Sequence, residues 1–224
     1  MEIEKKNHKV AIYFWIASLF IILDQVTKLW IKGFVIFGFE HHGLRFSEQL
    51  PIIGATLQFI HVENAGGPFG IQFGVAKIFL SLFSVFASIA LAWYLIKIKE
   101  YSLWIKIGVA LIFAGAVGNL IDRVFYGVFF NEGALFYGKV VDFIQVDIPD
   151  VELFGMKYES YPIFNIADSL VTIGVALLII FNNKIPSFDL LLKKQKPEIV
   201  PFEPVPAQKD EIKENTISPT GTVN

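Results

Sequence analysis

Cysteine is absent from the 224 residues. Its absence removes disulfides, thiol nucleophiles, iron–sulfur centres and cysteine zinc sites, and leaves the redox compartment open. Histidine is scarce, with four residues and no H-x-x-x-H or similar ligand spacing, so no metal site and no cofactor is expected. Charge is sparse as well: 18% of residues carry one, and the formal net charge is −2. No basic excess points to nucleic acid. What remains is apolar. The chain is 54% hydrophobic with a mean hydropathy of +0.56, too high for an ordinary soluble domain.

Four apolar runs are each long enough to cross a bilayer as a helix of about 20 residues. They cover residues 10–31, 75–96, 103–121 and 162–181. The first follows Lys5, Lys6 and Lys9 as a signal peptide would, but no A-x-A site follows and the run ends in Asp24-Gln-Val-Thr-Lys28, so it reads as a retained span. Lysines cluster at the N-terminus, between spans two and three (Lys97, Lys99, Lys106) and after span four (Lys184, Lys193, Lys194, Lys196). The positive-inside rule then places both termini in the cytoplasm and the long connections, 33–74 and 122–161, outside.

Leu57-Gln-Phe-Ile-His-Val62 and Gly138-Lys-Val-Val-Asp-Phe-Ile144 read as strands. The expected fold is a membrane all-α four-helix transmembrane bundle (residues 1–184) with a small extracytoplasmic β-sheet and loop region. Residues 185–224, rich in proline and charge, read as a disordered cytoplasmic tail. Ala110, Ala114 and Gly118 form a small-residue stripe suited to close helix packing. No internal repeat is present.

Ionisable groups in apolar helices cost several kcal/mol unless they have partners or a role. The groups needing an explanation are Asp24 and Lys28, Asn64, Asn119, Asp122 and Arg123, Asp142, and Asn165 and Asp168. With alternating helix direction they all fall at one membrane face. Asp24 and Lys28 lie four apart, the spacing of a supporting ion pair on one helix face. Asn64-Ala-Gly-Gly-Pro-Phe-Gly70 is a tight-turn sequence. In Gly118-Asn-Leu-Ile-Asp-Arg123, Asn119 and Arg123 share a face. That pair fits either a helix C-terminal cap or a grip on substrate carbonyls. Asp168 near a helix start fits a cap, with Pro162 suited to the first turn. Two aspartates from separate segments, Asp142 and Asp168, also fit a different role. Facing carboxylates that share a proton supply both the base and the acid that peptide hydrolysis by water requires. Such a pair titrates as a unit, so neither residue is the permanent base. No serine has a His–Asp partner set, so a serine triad is poorly supported.

These motifs, with Val140-Val-Asp-Phe143 and Phe164-Asn-Ile-Ala-Asp-Ser169, closely resemble the ordered motif set of the bacterial lipoprotein signal peptidases, from about residue 10 to 183. The resemblance implies an aspartyl endopeptidase of the bacterial inner membrane with its active site at the periplasmic face. It would cut diacylglyceryl-modified prolipoproteins before the lipidated cysteine and act as a monomer among membrane lipids. It implies Asp142 and Asp168 as the catalytic dyad. Asn64, Asn119, Arg123 and Asn165 would bind substrate, and Asp24, Lys28, Gly118 and Asp122 would support the site. The chain departs from the family pattern in an apparent insertion at Gly127-Val-Phe-Phe-Asn-Glu-Gly133, an extended 145–161 segment and the added tail. The rival readings are a proton-coupled transporter, which needs polar groups along a full crossing, and a non-catalytic membrane scaffold, which needs neither aspartate.

Overall fold

The computed structural model describes residues 2–66, 76–153 and 156–187, with side chains described for 10–66, 77–147 and 161–187. The tail beyond residue 187, and residues 67–70 of the glycine-rich motif, lie outside the described residues.

The chain runs through α1 (Glu2–Lys32), strands β1 (Phe34–Ile36), β2 (Phe39–His41), β3 (Gln49–Ile53) and β4 (Leu57–Asn64), then α2 (Ala76–Lys97) and α3 (Leu103–Ile121). A π-helical turn (Asp122–Tyr126) and the short α4 (Gly127–Phe129) lead to β5 (Val140–Leu153), β6 (Met156–Ser160) and α5 (Ile166–Ile180). Among the described residues, three helical segments are long and apolar enough to cross a membrane: Val10–Lys32, Lys77–Lys97 and Leu103–Phe129. The fourth expected span is shorter. Helix α5 has 15 residues, about 22 Å at 1.5 Å per residue, against a hydrocarbon core of about 30 Å.

The start of α5 also differs from the sequence reading. Pro162 lies outside the helix because Asn165 caps it. The Asn165 side chain accepts from the Asp168 N–H, and the Asp168 side chain accepts from the Asn165 N–H. This reciprocal box satisfies two of the free donors at the helix start. The residues before it are held extended instead. Phe164 bridges Ile144 of β5, with N–H to O distances of 2.7 and 3.1 Å in the two directions.

Helix α3 is the centre of the helical layer and packs against α1, α2 and α5. Ala110 and Ala114 are buried there, as the small-residue stripe requires. Apolar clusters stack along it. Tyr13, Leu95, Ile98 and Val109 form one and Ala17, Leu111, Ala114 and Leu170 the next. A third joins the end of α1 to the sheet through Ile31, Tyr126, Val141 and Phe143. The sheets are antiparallel: a β1–β2 hairpin, and four strands in the order β3-β4-β5-β6. In the larger sheet Val62 pairs with Asp142 and Asn64 with Val140. The sheet therefore delivers Asn64 and Asp142 to the place where α3 ends and α5 begins.

Candidate active site

The expected supporting pair is part of a larger ionic group. Lys28 Nζ lies 2.8 Å from Asp24 Oδ2 and 2.8 Å from Asp122 Oδ2, with all three side chains fully buried. A buried charge needs close partners and further hydrogen bonds, and these are present. Asp24 Oδ1 accepts from the Ala167 N–H at 2.9 Å, tying α1 to the first turn of α5. Asp122 accepts from Gln25 Nε2 at 2.9 Å and from the Val141 N–H at 3.3 Å, tying the π-helical turn to α1 and β5. The Tyr126 hydroxyl donates to Gln25 Oε1 at 3.0 Å. Gly118 belongs here for steric reasons, since a Cβ at that position would lie 2.7 Å from Asp24 Oδ2.

Lys28 also donates to Asn119 Oδ1 at 2.9 Å, which fixes the Asn119 amide with its NH2 facing outward. That NH2 donates to Asp168 Oδ1 at 2.8 Å. The other oxygen, Asp168 Oδ2, accepts from the Asn165 N–H at 3.2 Å. Asp142 is held in the same manner. Asn165 Nδ2 donates to its Oδ1 at 2.7 Å and Asn64 Nδ2 to its Oδ2 at 3.2 Å. Asn64 is itself aimed by the Gly66 N–H, which donates to its Oδ1 at 2.8 Å. Gly66 has φ +100°, a conformation glycine adopts without strain.

Each of the four carboxylate oxygens thus accepts one N–H bond, and Asn165 serves both aspartates. Asp142 is buried and Asp168 half-buried. Burial raises Asp142 from its ordinary 3.8 to about 7, and the neighbouring Asp168 charge adds to the rise against the amide bonds and the Lys28 charge. A raised Asp142 carboxyl beside a second aspartate is the kind of pair that acid–base hydrolysis by water requires.

Arg123, on the π-helical turn, acts electrostatically on Asp122, Asp142 and Asp168. One terminal nitrogen reaches Ser84 Oγ at 3.4 Å, and its buried Nε has no partner among the described residues. The turn explains this placement. A wider helical turn displaces its side chains and frees carbonyls, a feature frequent at functional sites. The loop that follows the expected insertion supplies the missing donors: Gly138 N–H bonds Arg123 O and Phe136 N–H bonds Val124 O, both at 3.0 Å. Beside the dyad, Val146, Tyr161, Phe164, Asp168, Ser169, Thr172 and Ile173 line an open, mainly apolar cleft of about 390 Å³.

The expected site residues therefore come together, with the asparagines bonded to the aspartates and Arg123 joined to them only electrostatically. Two groups escaped the sequence reading. Gln25 looked like an ordinary helix-end residue. Glu63, one position before Asn64, pairs with Lys32 and with Lys139 (2.6 Å), and Lys32 also reaches Glu132 at 2.6 Å. Four charges around one strand end were spread over a hundred residues of sequence, so no local spacing revealed them.

Residues 16–183 match the family model of signal peptidase (SPase) II, an A8-type peptidase family. The chain is 37% identical over 174 residues to the lipoprotein signal peptidase of Pelodictyon phaeoclathratiforme, covering 78% of this chain and 91% of that one. It is 32% identical over 218 residues to that of Porphyromonas gingivalis (86% and 92% covered) and 35% over 175 residues to that of Staphylococcus aureus (78% and 90%). Among solved structures, one described as a bacterial membrane enzyme at 2.3 Å superposes with a TM-score of 0.58 at 35% identity, covering 83% of this chain and 93% of that one. With the matched segment spanning every residue of the site, the chain belongs to the signal peptidase II family of aspartic peptidases.

Proposed function

We propose that the chain removes signal peptides from diacylglyceryl-modified prolipoproteins, cutting before the lipidated cysteine with the Asp142–Asp168 dyad. One observation carries the catalytic assignment: Asn165 bonds both aspartates, in a site where burial and the Asp168 charge raise Asp142 to about 7. The names of the relatives support the substrate class.

In the mechanism, the ionised carboxylate takes a proton from water as the water oxygen attacks the scissile carbonyl carbon. The protonated carboxyl gives its proton to the developing oxyanion. The tetrahedral gem-diol then collapses: one of its hydroxyl protons returns to the carboxylate that gave it, the C–N bond breaks, and the dyad proton taken from water passes to the leaving cysteine nitrogen. Asn64, Asn119 and Asn165 hold the carboxylates in place. Asn64, exposed at the end of β4, is placed beside the path of the substrate backbone, and Arg123 Nε, which has no partner among the described residues, is a donor for one of its carbonyls. The apolar cleft beside Asp168 suits a hydrophobic portion of the substrate.

In the membrane arrangement that fits this chemistry, α5 forms the fourth crossing, both termini are cytoplasmic, and the dyad meets the periplasmic face of the inner membrane as a monomer. The lysine distribution supports that orientation. The transporter reading fits less well. The buried ionisable side chains Asp24, Lys28, Asp122 and Asp142 gather where α1 and α3 end, whereas the first half of α3 is lined by apolar residues such as Ile105 and Val109.

The test supplies purified full-length protein in lipid nanodiscs with lipid-modified prolipoprotein and follows cleavage by gel shift. The parent releases the signal peptide, and D142N and D168N do not. Full activity in either variant overturns the dyad, and no cleavage by the parent overturns the peptidase assignment. Because the acyl chains can remain in the bilayer while the scissile bond meets the dyad, unlipidated precursor is cleaved far more slowly. Equal rates would refute that dependence.

A further inference from the structure

The β1–β2 hairpin follows α1 after a single residue and is fastened to its end. Leu44 N–H bonds Ile31 O at 2.8 Å, and a Cβ on Gly43 would strike the backbone of residues 31–33. His41 stacks on Trp30, with ring centroids 6.1 Å apart, and donates through Nε2 to the Trp30 carbonyl at 2.9 Å. Trp30 is the last member of the outward stripe of α1, formed by Trp15, Leu19, Ile22, Val26 and Trp30, all exposed at helical spacing. On a membrane-crossing helix that stripe meets lipid, and a terminal tryptophan marks the interface.

The hairpin continues the stripe. Its pairs are Phe34–His41, Val35–Glu40 and Ile36–Phe39. Alternation places Phe34, Ile36, Phe39 and His41 on one face, and Val35, Glu40 and His42 on the other. Glu40 and His42 are solvent-exposed and lie 3.4 Å apart. The tip is Phe37-Gly38, with φ 49° and 82°. A turn with two such residues favours asparagine first, and phenylalanine there is costly. The Phe37 side chain is also fully exposed, at 105%. In water, a two-stranded hairpin carrying a strained and uncovered aromatic tip would be marginal.

We propose that this hairpin is an interfacial membrane anchor. Its Phe34, Ile36 and Phe39 face and its Phe37 tip insert among the lipids around the end of α1, while Glu40 and His42 face water. The occupant is the bilayer, because the apolar face extends a lipid-facing helix stripe and is fixed at the depth where that helix ends. Such an anchor holds the site-bearing end of α1 at a set depth.

The absence of cysteine permits a clean test. A nitroxide is attached to F37C, and separately to E40C, in full-length protein in nanodiscs of phosphatidylethanolamine and phosphatidylglycerol. Retained prolipoprotein cleavage verifies that each labelled protein is folded. The expected result is oxygen accessibility at position 37 several-fold above that at position 40, with accessibility to a water-soluble nickel chelate reversed. Equal nickel accessibility at both sites means the tip is in water and overturns the proposal. Dipolar broadening between two F37C labels, in discs holding two copies, means a second copy covers the face and also overturns it.

Discussion

Asn165 donates its side-chain amide to Asp142 at 2.7 Å and to the Val141 carbonyl at 3.3 Å, which joins the helix cap of α5 to the strand that carries the other aspartate. Asn165 therefore has two separable roles, capping and carboxylate positioning. Serine retains most of an N-cap but has no amide to reach Asp142. N165S is expected to unfold near the parent temperature yet lose about 10- to 100-fold in kcat, the equivalent of a hydrogen bond to a charged group of about 1.5–3 kcal/mol. N165A is expected to lose the same activity and about 1 kcal/mol of stability as well. Thermal unfolding alongside kcat measurement separates the two. If N165S kept full kcat, the bond to Asp142 would have no catalytic role.

The raised Asp142 carboxyl sets a pH dependence of activity. The dyad needs one proton, and that proton is lost as pH rises through about 7. Cleavage is therefore expected to fall on the alkaline side. Asn64 bonds the charged form and lowers the value, so N64A shifts the alkaline limb to higher pH. A kcat profile against pH for parent and N64A checks this, and a shift to lower pH would contradict it.

The same group makes a stability prediction of defined sign. A carboxyl raised from 3.8 to about 7 in the fold contributes stability below pH 4, and that contribution is lost as pH rises through 7. D142N carries no ionisation cost. It is expected to be inactive and yet to melt at a higher temperature than the parent at pH 8, with the difference shrinking toward pH 5. A D142N protein less stable than the parent at pH 8 would show that the carboxylate is favourably held.

The sequence exposed these residues because an ionisable side chain is rare inside an apolar helix. Asp24, Lys28 and Asp122 were visible for that reason, Asn119 as a polar amide among them, and α3 runs over its expected residues, Leu103–Ile121. What followed it was hidden. A π-helical turn depends on carbonyl partners from a distant loop, here Phe136 and Gly138. The start of α5 misled because proline suits a first turn, whereas the reciprocal Asn165–Asp168 cap and the Phe164–Ile144 bridge decide it. The bonds of the asparagines to the aspartates depend on the meeting of β4, β5, α3 and α5, which no local pattern records.

Lys28 offers a test of the supporting group. Removing one member of a buried ionic set leaves uncompensated charge, at a cost of about 3–5 kcal/mol, while replacing all members by neutral groups of similar shape is far milder. K28M is expected to destabilise by that amount. K28M/D24N/D122N is expected to recover much of it, since Asp24 and Asp122 then no longer face each other as unpaired charges. Urea unfolding in mild detergent measures both. Neither is expected to be active, because Asn119 loses the Lys28 donor that aims it at Asp168. A triple variant less stable than K28M would refute the argument.

Glu63 links the loop after α4 to the strand that presents Asn64. His61 at 3.6 Å, and then Lys139 and Lys32, hold its carboxyl well below the usual range against the opposing effect of burial. A lowered carboxyl contributes stability above its ordinary value and loses it as pH falls. E63Q removes that contribution and frees Lys32 and Lys139. If Glu63 only ties the loop down, E63Q lowers stability and leaves the pH profile unchanged. The adjacency to Asn64 predicts more. With the end of β4 loosened, the Asn64 bond to Asp142 weakens, and the alkaline limb moves to higher pH in the direction expected for N64A but by less. Combining E63Q with N64A should then add no further shift, because both act through one bond. A full additional shift in the double variant would place the influence of Glu63 on the dyad through another route.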